Sequence, residues 1–362
     1  MQTKNDRPSQ RDRFRGCLLG GAVGDALGAA VEFLSLAQIR SRFGAEGIRD
    51  YASAYGGLGR ITDDTQMTLF TAEGLLRGAV RHDTKGICHY PSVVAYAYLR
   101  WLVTQGERPG VLDEVLEGDP GWLMGHSELH HKRAPGNTCL SALRDLRRLG
   151  VPATNQSKGC GGVMRVAPVG LFAHRSDPDH AFQLGVDVAA LTHGHPTGSL
   201  PAGVLAVLVQ GIAQGASLSE ALATAKDCLR VAPSFDETLR AIEAAQDHAS
   251  RGTSADKAIR ELGEGWIAEE ALSVSIYCAL VASDFREGIV MAVNHDGDSD
   301  STGAITGNLL GTALGVQAIP AEWLAPLELR EVITEMADDL LDCWEWSSRD
   351  IEERIWDKYP GF

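Results

Sequence analysis

The chain passes early from polar to periodic. Residues 1–12 are polar and charged and read as a flexible N-terminal arm. From Phe14, apolar residues recur at three- and four-residue spacings: Phe14, Cys17, Leu18, Val23 and Leu27. That period predicts a helix. Gly20, Gly21, Gly24 and Gly28 interrupt it. Glycine weakens an exposed helix, so this one is expected to be buried, with another backbone close by. The same period predicts helices over 64–79, 91–104, 137–149, 181–192, 200–214, 218–230, 235–249, 254–261, 268–282, 285–293, 301–315 and 328–342. Strand patterns are few. The best covers 166–172, and Pro168 weakens it. No internal repeat or low-complexity linker is visible. The pattern predicts an all-α chain: one compact domain of orthogonally packed helices over 13–362, with functional loops on one face.

Composition is that of an ordinary globular chain, 44% hydrophobic and 22% charged, so 362 residues can bury a large core. The net charge of -15 leaves no basic stripe to replace phosphate counterions. Duplex nucleic acid and an anionic membrane surface are therefore not expected partners. A locally basic pocket for a small polyphosphate stays open. No uninterrupted apolar run reaches the roughly 20 residues that span a bilayer, and the best stretch, 304–320, is broken by glycine. Residues 1–13 hold no apolar signal-peptide core. Seven cysteines, none at C-x-x-C spacing, point to reduced thiols and a cytoplasmic location.

The chemistry concentrates in two short acidic clusters far apart in the chain. Thr62, Asp63 and Asp64 precede an apolar helical pattern, as do Asp296, Asp298, Asp300 and Ser301. Helix capping accounts for such residues at a helix start. For the first cluster taken alone, capping is the favoured reading. For the second it leaves three aspartates in five residues without a nearby Lys or Arg. Brought together, the clusters make an all-oxygen site for hard divalent ions. An EF-hand starting at Asp296 fails, because Ser301 stands where Gly is needed and Gly307 where Glu is needed. Asp298-Ser299-Asp300-Ser301-Thr302 matches the D-x-D-x-T pattern of aspartyl-phosphate phosphatases, but no parallel sheet can follow it. His126-Ser127-Glu128-Leu129-His130 is not H-E-x-x-H, and these histidines read as a solvated face.

Three further segments carry candidate chemistry. Residues 157–165 form a glycine-rich loop, either a plain turn or a cradle whose bare N–H groups hold a diphosphate. His193 and His195 flank a glycine between two helices, where a structural or a ligand-contacting role fits equally. Glu32 closes a run of small residues. It is either exposed on a loop or buried with a raised pKa that suits acid–base work. Cys160 has no Cys-His-Asn pattern to make it a nucleophile, and reads as a packing thiol.

Together these runs resemble the ADP-ribosylglycohydrolase family, whose members include the dinitrogenase reductase-activating glycohydrolase. Residues 16–28 resemble its opening helix, 61–65 its first metal motif and 297–301 its second, usually G-D-x-D-T. Loops 157–165 and 191–196 follow in the family's order, and the resemblance runs from about residue 13 to 315. It implies an all-α fold and two divalent cations, Mg²⁺ or Mn²⁺, bound by Thr62, Asp63, Asp64, Asp298, Asp300 and Ser301. Ser301 replaces the family's usual Thr and keeps one hydroxyl. Ser157, Gly159, Cys160, Gly161 and Gly162 match the loop that holds ADP-ribose, with Cys160 where some members carry Asn; His193 matches a histidine on the same ligand. Glu32 matches a Glu on a loop covering the site. It is the first choice for the acid–base role, with Asp64 and Asp300 beside it.

The implied activity is metal-dependent cleavage of the N-glycosidic bond between ADP-ribose and an acceptor side chain on a modified protein, arginine first. Serine, a carboxylate, a nucleotide or a base are other acceptors. A different class is an immunity protein that neutralises a cognate ADP-ribosyltransferase by contact, using the polar arm. A third is an inactive structural relative, against which the retention of both acidic clusters argues.

Overall fold

In the computed structural model, residues 8–110 and 120–361 are described. The chain is all-helical. In order, α1 spans Gln10–Gly28, α2 Leu36–Phe43, α3 Asp63–Lys85, α4 Tyr90–Thr104, α5 Asn137–Arg144, α6 Ala167–Phe172, α7 Pro178–Ala190 and α8 Pro196–Ala213. Then follow α9 Leu218–Arg230, α10 Asp236–Ser250, α11 Ala255–Leu262, α12 Ala268–Val281, α13 Phe285–Val293, α14 Ser299–Leu314, α15 Ala321–Leu324 and α16 Arg330–Asp342. Among the described residues, the only extended pairings outside helices are two isolated bridges, Ala54 with Gly57 and Gly159 with Ile267.

The most extensive helix pair is α1 against α14. It packs backbone to backbone. A Cβ placed on Gly20 would lie 2.4 Å from the Gly307 carbonyl oxygen, and one on Gly24 2.0 Å from that of Gly303. The reverse approach, from Gly307 to the Gly20 oxygen, is 2.0 Å. Four-residue spacing puts these glycines on one stripe of each helix, which lets the axes come together. The close backbone approach expected of this helix is present. Around it, α8 runs through the core, packed by α6, α7, α9, α12 and α14. It is apolar enough in composition to cross a membrane, but it lies almost wholly buried within the fold.

Four expectations need correction. The helix begins at Gln10, with a reciprocal capping box between Ser9 and Asp12, so residues 8–12 are not an arm. Arg11 and Arg15 hold this polar end down through ion pairs to Asp338 at 3.0 and 2.7 Å. Residues 1–7 of that arm lie outside the described residues. The expected strand 166–172 is helix α6, because Pro168 sits in its first turn, where a proline needs no N–H partner. The helix expected over 137–149 ends at Arg144. The one expected from 328 starts at Arg330, since Leu329 stands at φ +55°, outside helical space.

Replacing Gly307 with Ala is expected to lower unfolding stability by about 2 kcal/mol, as overpacking of a filled contact does. Gly125→Ala, where a Cβ meets nothing within 4 Å, should leave it unchanged. Chemical denaturation of the two variants checks this, and equal midpoints would contradict it.

Candidate active site

The α1–α14 contact ends at the chemistry. A Cβ on Gly28, the last residue of α1, would lie 2.5 Å from the backbone N of Asp300, in the first turn of α14. One turn earlier in α1, Asp25 is fully buried and reaches the start of α3. Its carboxylate accepts from the Thr62 N–H at 3.0 Å, from the Thr65 N–H at 3.1 Å and from the Thr65 hydroxyl. Asp25 thus fastens the N-terminus of α3 to α1, while glycine packing fastens that of α14. The two acidic clusters meet there.

Both clusters do cap their helices. Thr62 Oγ1 accepts from the Asp64 N–H at 3.3 Å, and Asp298 Oδ1 accepts from the Ser301 N–H at 3.3 Å. Asp63 Oδ2 accepts from the Gly136 N–H at 3.3 Å. Capping does not use up the oxygens. Asp64 Oδ1 and Glu32 Oε2 are buried with no hydrogen-bond partner. Glu32, Asp298 and Asp300 can each bring an oxygen within 4.8 Å of the other two. Asp296 is not in the group. It is exposed, and its Oδ1 accepts from the Leu36 N–H at 2.8 Å at the start of α2.

Burial and mutual repulsion hold these carboxyls protonated beyond their ordinary range. Burial lifts Asp25 to about 6, opposed by its hydrogen bonds, and lifts Asp300 to about 7. Asp63, Asp64 and Asp298 rise well above their usual values, through burial first and then neighbouring carboxylates. Glu32 is only 7% exposed, and burial followed by Asp300 and Asp298 pushes it to about 11. Of the two readings of Glu32, the buried one with a raised pKa is therefore the structure's.

Facing the carboxylates is the glycine-rich loop. A cavity of about 220 Å³ has Glu32, Asp64, Asp300, Gly161 and His193 in its wall. A larger cavity of about 650 Å³, walled by Arg81, Cys88 and Tyr96, contains none of those carboxylates. Cys160–Gly162 form a single 3-10 turn, whose first N–H groups lack intrahelical partners. Ser157 Oγ lies 3.1 Å from Thr138 Oγ1 and accepts from the Gly159 N–H at 3.2 Å. Cys160 N–H donates to the Trp266 carbonyl at 3.2 Å, which fixes the turn against the segment before α12. Beneath it, Arg165 donates to Thr192 Oγ1 at 2.6 Å, and that oxygen lies 2.8 Å from His193 Nδ1. The Thr192 hydroxyl also lies 3.4 Å from the Ala189 carbonyl, and His193 itself is in the cavity wall. Burial, then Arg165, lowers His193 to about 3, so it is neutral. Its neighbour His195 instead caps α8, accepting from the Thr197 N–H at 3.0 Å.

The structure thus brings into one place Thr62, Asp63, Asp64, Asp298, Asp300, Ser301, Glu32, Cys160, Gly159, Gly161 and His193. Ser157 and Gly162 shape the loop behind the wall. Of the expected solvated histidines, His130 and His131 are exposed and His126 is half-buried. Sequence reasoning missed Asp25, a lone charge inside a glycine-rich helix. It also missed Trp266, which lines the cavity and stacks on Phe33 at 6.0 Å between ring centroids. Phe33 is 70% exposed and adjoins Glu32.

The donor set fits a divalent cation: oxygens only on the carboxylate side, two of them orphaned, with like charges that repel one another. A consequence for stability follows. A carboxyl whose folded pKa exceeds its unfolded value of about 3.9 keeps a proton that the unfolded chain has lost. The native state then binds more protons, so its stability falls as pH rises through about 6 for Asp25 and about 7 for Asp300. A cation held among Glu32, Asp298 and Asp300 would take the place of protons there. The rise in melting temperature produced by added Mg²⁺ or Mn²⁺ is therefore expected to widen from about pH 4 to pH 7. A gap that stays constant with pH would contradict it. Separately, Asp25→Ala should weaken metal binding and lower stability by about 2 kcal/mol or more, because it orphans buried N–H donors. Metal titration and thermal melts read the two effects.

The comparisons with known proteins agree with this geometry. The family model for ADP-ribosylglycohydrolase matches residues 6–349. An uncharacterised protein of Archaeoglobus fulgidus is 31% identical, over 91% of this chain and 96% of its own. The ADP-ribosyl-[dinitrogen reductase] glycohydrolase of Rhodospirillum rubrum is 27% identical, over 89% and 92%. The ADP-ribosylarginine hydrolase Tri1 of Pseudomonas putida is 25% identical, over 91% and 78%. Among solved structures, an ADP-ribosylglycohydrolase-related protein complex superposes with a TM-score of 0.64 at 28% identity, covering 92% of this chain and 99% of that one. A family model that spans nearly the whole chain, over an all-helical fold whose two acidic clusters meet in one cavity, places this protein in the ADP-ribosylglycohydrolase family.

Proposed function

We propose that this protein hydrolyses the glycosidic bond joining ADP-ribose to a protein side chain, arginine foremost, with two Mg²⁺ or Mn²⁺ ions. The carrying observation is the convergence of Glu32, Asp64, Asp298 and Asp300 in one cavity with the 157–162 loop and neutral His193. Arginine as the acceptor is supported by the name of the Pseudomonas putida relative.

Thr62, Asp63, Asp64, Asp298, Asp300 and Ser301 would hold the ions. When bound, these supply Lewis acidity and positive charge at the ribose hydroxyls. The chain's own groups do the rest. The Gly161 backbone and the ring of His193, both on the cavity wall, hold the diphosphate side of the ligand. Glu32 serves as the acid–base group: its Oε2 is free, buried and on the cavity wall. As the C1″–N bond breaks, Glu32 gives its proton to the leaving nitrogen; a water oxygen bonds to C1″ and that water's proton returns to Glu32. Asp64 and Asp300, in the wall of the same cavity, would favour the positive charge that develops on the ring.

Purified protein is incubated with arginine-linked and serine-linked ADP-ribosylated substrates, with and without Mg²⁺ or Mn²⁺, and free ADP-ribose is measured. Metal-dependent release from the arginine substrate is the expected result. Release from the serine substrate alone would reassign the acceptor, and release from neither would remove the reading. Glu32→Gln is expected to lower kcat by about 10²-fold or more with KM little changed.

A further inference from the structure

The turn that carries Glu32 also carries an aromatic ring. The Leu34 N–H donates to the Val31 carbonyl at 2.8 Å, so Glu32 and Phe33 are the two central residues of one turn. Their side chains part. Glu32 is 7% exposed and lines the cavity, whereas Phe33 is 70% exposed. The Phe33 ring stacks on Trp266, with 18° between the planes, and Trp266 lines the same cavity. Among the described residues Trp266 is its only ring contact, so the other face of Phe33 is open. Both rings stand on anchored backbone. On one side, the Val31 N–H donates to the Gly28 carbonyl at the end of α1, and the Leu36 N–H to Asp296, each at 2.8 Å. On the other, the Gly265 N–H donates to Glu270 at 3.2 Å, and the Trp266 carbonyl accepts from Cys160.

A single exposed phenylalanine is ordinary on a protein surface. This one is held at the rim of a cavity walled by carboxylates, and that combination suits a planar cation. The ring face carries a negative quadrupole, and a guanidinium stacks on it. A serine hydroxyl has neither the plane nor the charge. We propose that the open face of Phe33, backed by Trp266, is an acceptor subsite that stacks the guanidinium of the modified arginine beside Glu32. The inference rests on the hydrolysis proposed above. There Glu32 gives its proton to the leaving nitrogen, so the acceptor departs on the Glu32 side of the cavity. Phe33 is the next residue of that turn. The glycine loop and His193, which hold the diphosphate, belong to other segments of the wall. The ring therefore contributes to holding the acceptor and not the ADP-ribose.

The full-length protein with Mg²⁺ or Mn²⁺ is assayed on an arginine-ADP-ribosylated peptide, and free ADP-ribose is titrated separately as a competing inhibitor. In Phe33→Leu, KM for the peptide is expected to rise about fivefold or more with kcat little changed. The inhibition constant of free ADP-ribose should move less than about twofold, because that ligand has no guanidinium. Phe33→Tyr, which keeps the ring, should recover most of the loss. An unchanged KM in Phe33→Leu overturns the subsite. So does an equal rise in KM and in the inhibition constant, which would give the ring to ADP-ribose itself. A parent protein that releases no ADP-ribose from arginine overturns the arginine reading first, and this inference with it.

Discussion

Where α1 crosses α14 there is no room for a methyl group, and the site's geometry is set by that fact. Side chains normally hold helix axes apart; here carbonyl oxygens and Cα atoms touch instead, and the contact rests on dispersion and weak C–H···O attraction. The register of the two helices is fixed by glycines that carry no chemistry. Gly28 abuts Asp300, which sets the second acidic cluster against the end of α1. Asp25, on the same helix, gathers the N–H groups that open α3 and so sets the first cluster. Three chain segments far apart in sequence thereby share one origin.

That geometry creates an electrostatic problem that local structure cannot answer. Two charges 4.8 Å apart repel by about 3 kcal/mol even at an effective dielectric near 20. A helix cap returns about 1 kcal/mol, and a helix dipole about as much. Several carboxylates buried in one pocket therefore need protons or cations. The raised pKa of Glu32 and the orphaned oxygen of Asp64 are two expressions of one imbalance. Capping is genuine for Thr62 and Asp298, and it is insufficient.

Much of this was legible in the chain. Helices with strong three-and-four periodicity, such as Leu218–Arg230 and Phe285–Val293, begin and end where the pattern places them. The glycines of the first helix announced a close backbone neighbour without naming it, because a glycine shows only that space is scarce. α2 escaped notice: with one fully buried residue, Ile39, it has no apolar stripe, although Ser35 and Gln38 form a capping box visible in the sequence. The 166–172 segment looks like a strand because its residues are apolar on every side, which burial in a helix also demands. Asp25 was hidden for a related reason. Its role depends on a partner 37 residues away, and nothing local distinguishes a buried acceptor from a solvated charge. The carboxylate motifs could be read because their density has no local explanation.

The Arg165–Thr192–His193 chain has a consequence for how a ligand arrives. Among the described residues no carboxylate pairs with Arg165, whose guanidinium lies buried 4.2 Å from the centre of the Tyr98 ring. Its charge faces the pocket through a hydroxyl and a neutral imidazole, out of reach of mobile ions. The protein as a whole carries a net charge of -15, which repels a polyanion over distances that salt readily screens. The two fields thus respond differently to ionic strength: salt relieves the repulsion felt during approach and leaves the short-range attraction largely intact. For the anionic ligand proposed above, capture by this surface is expected to be favoured, not hindered, by a salty medium.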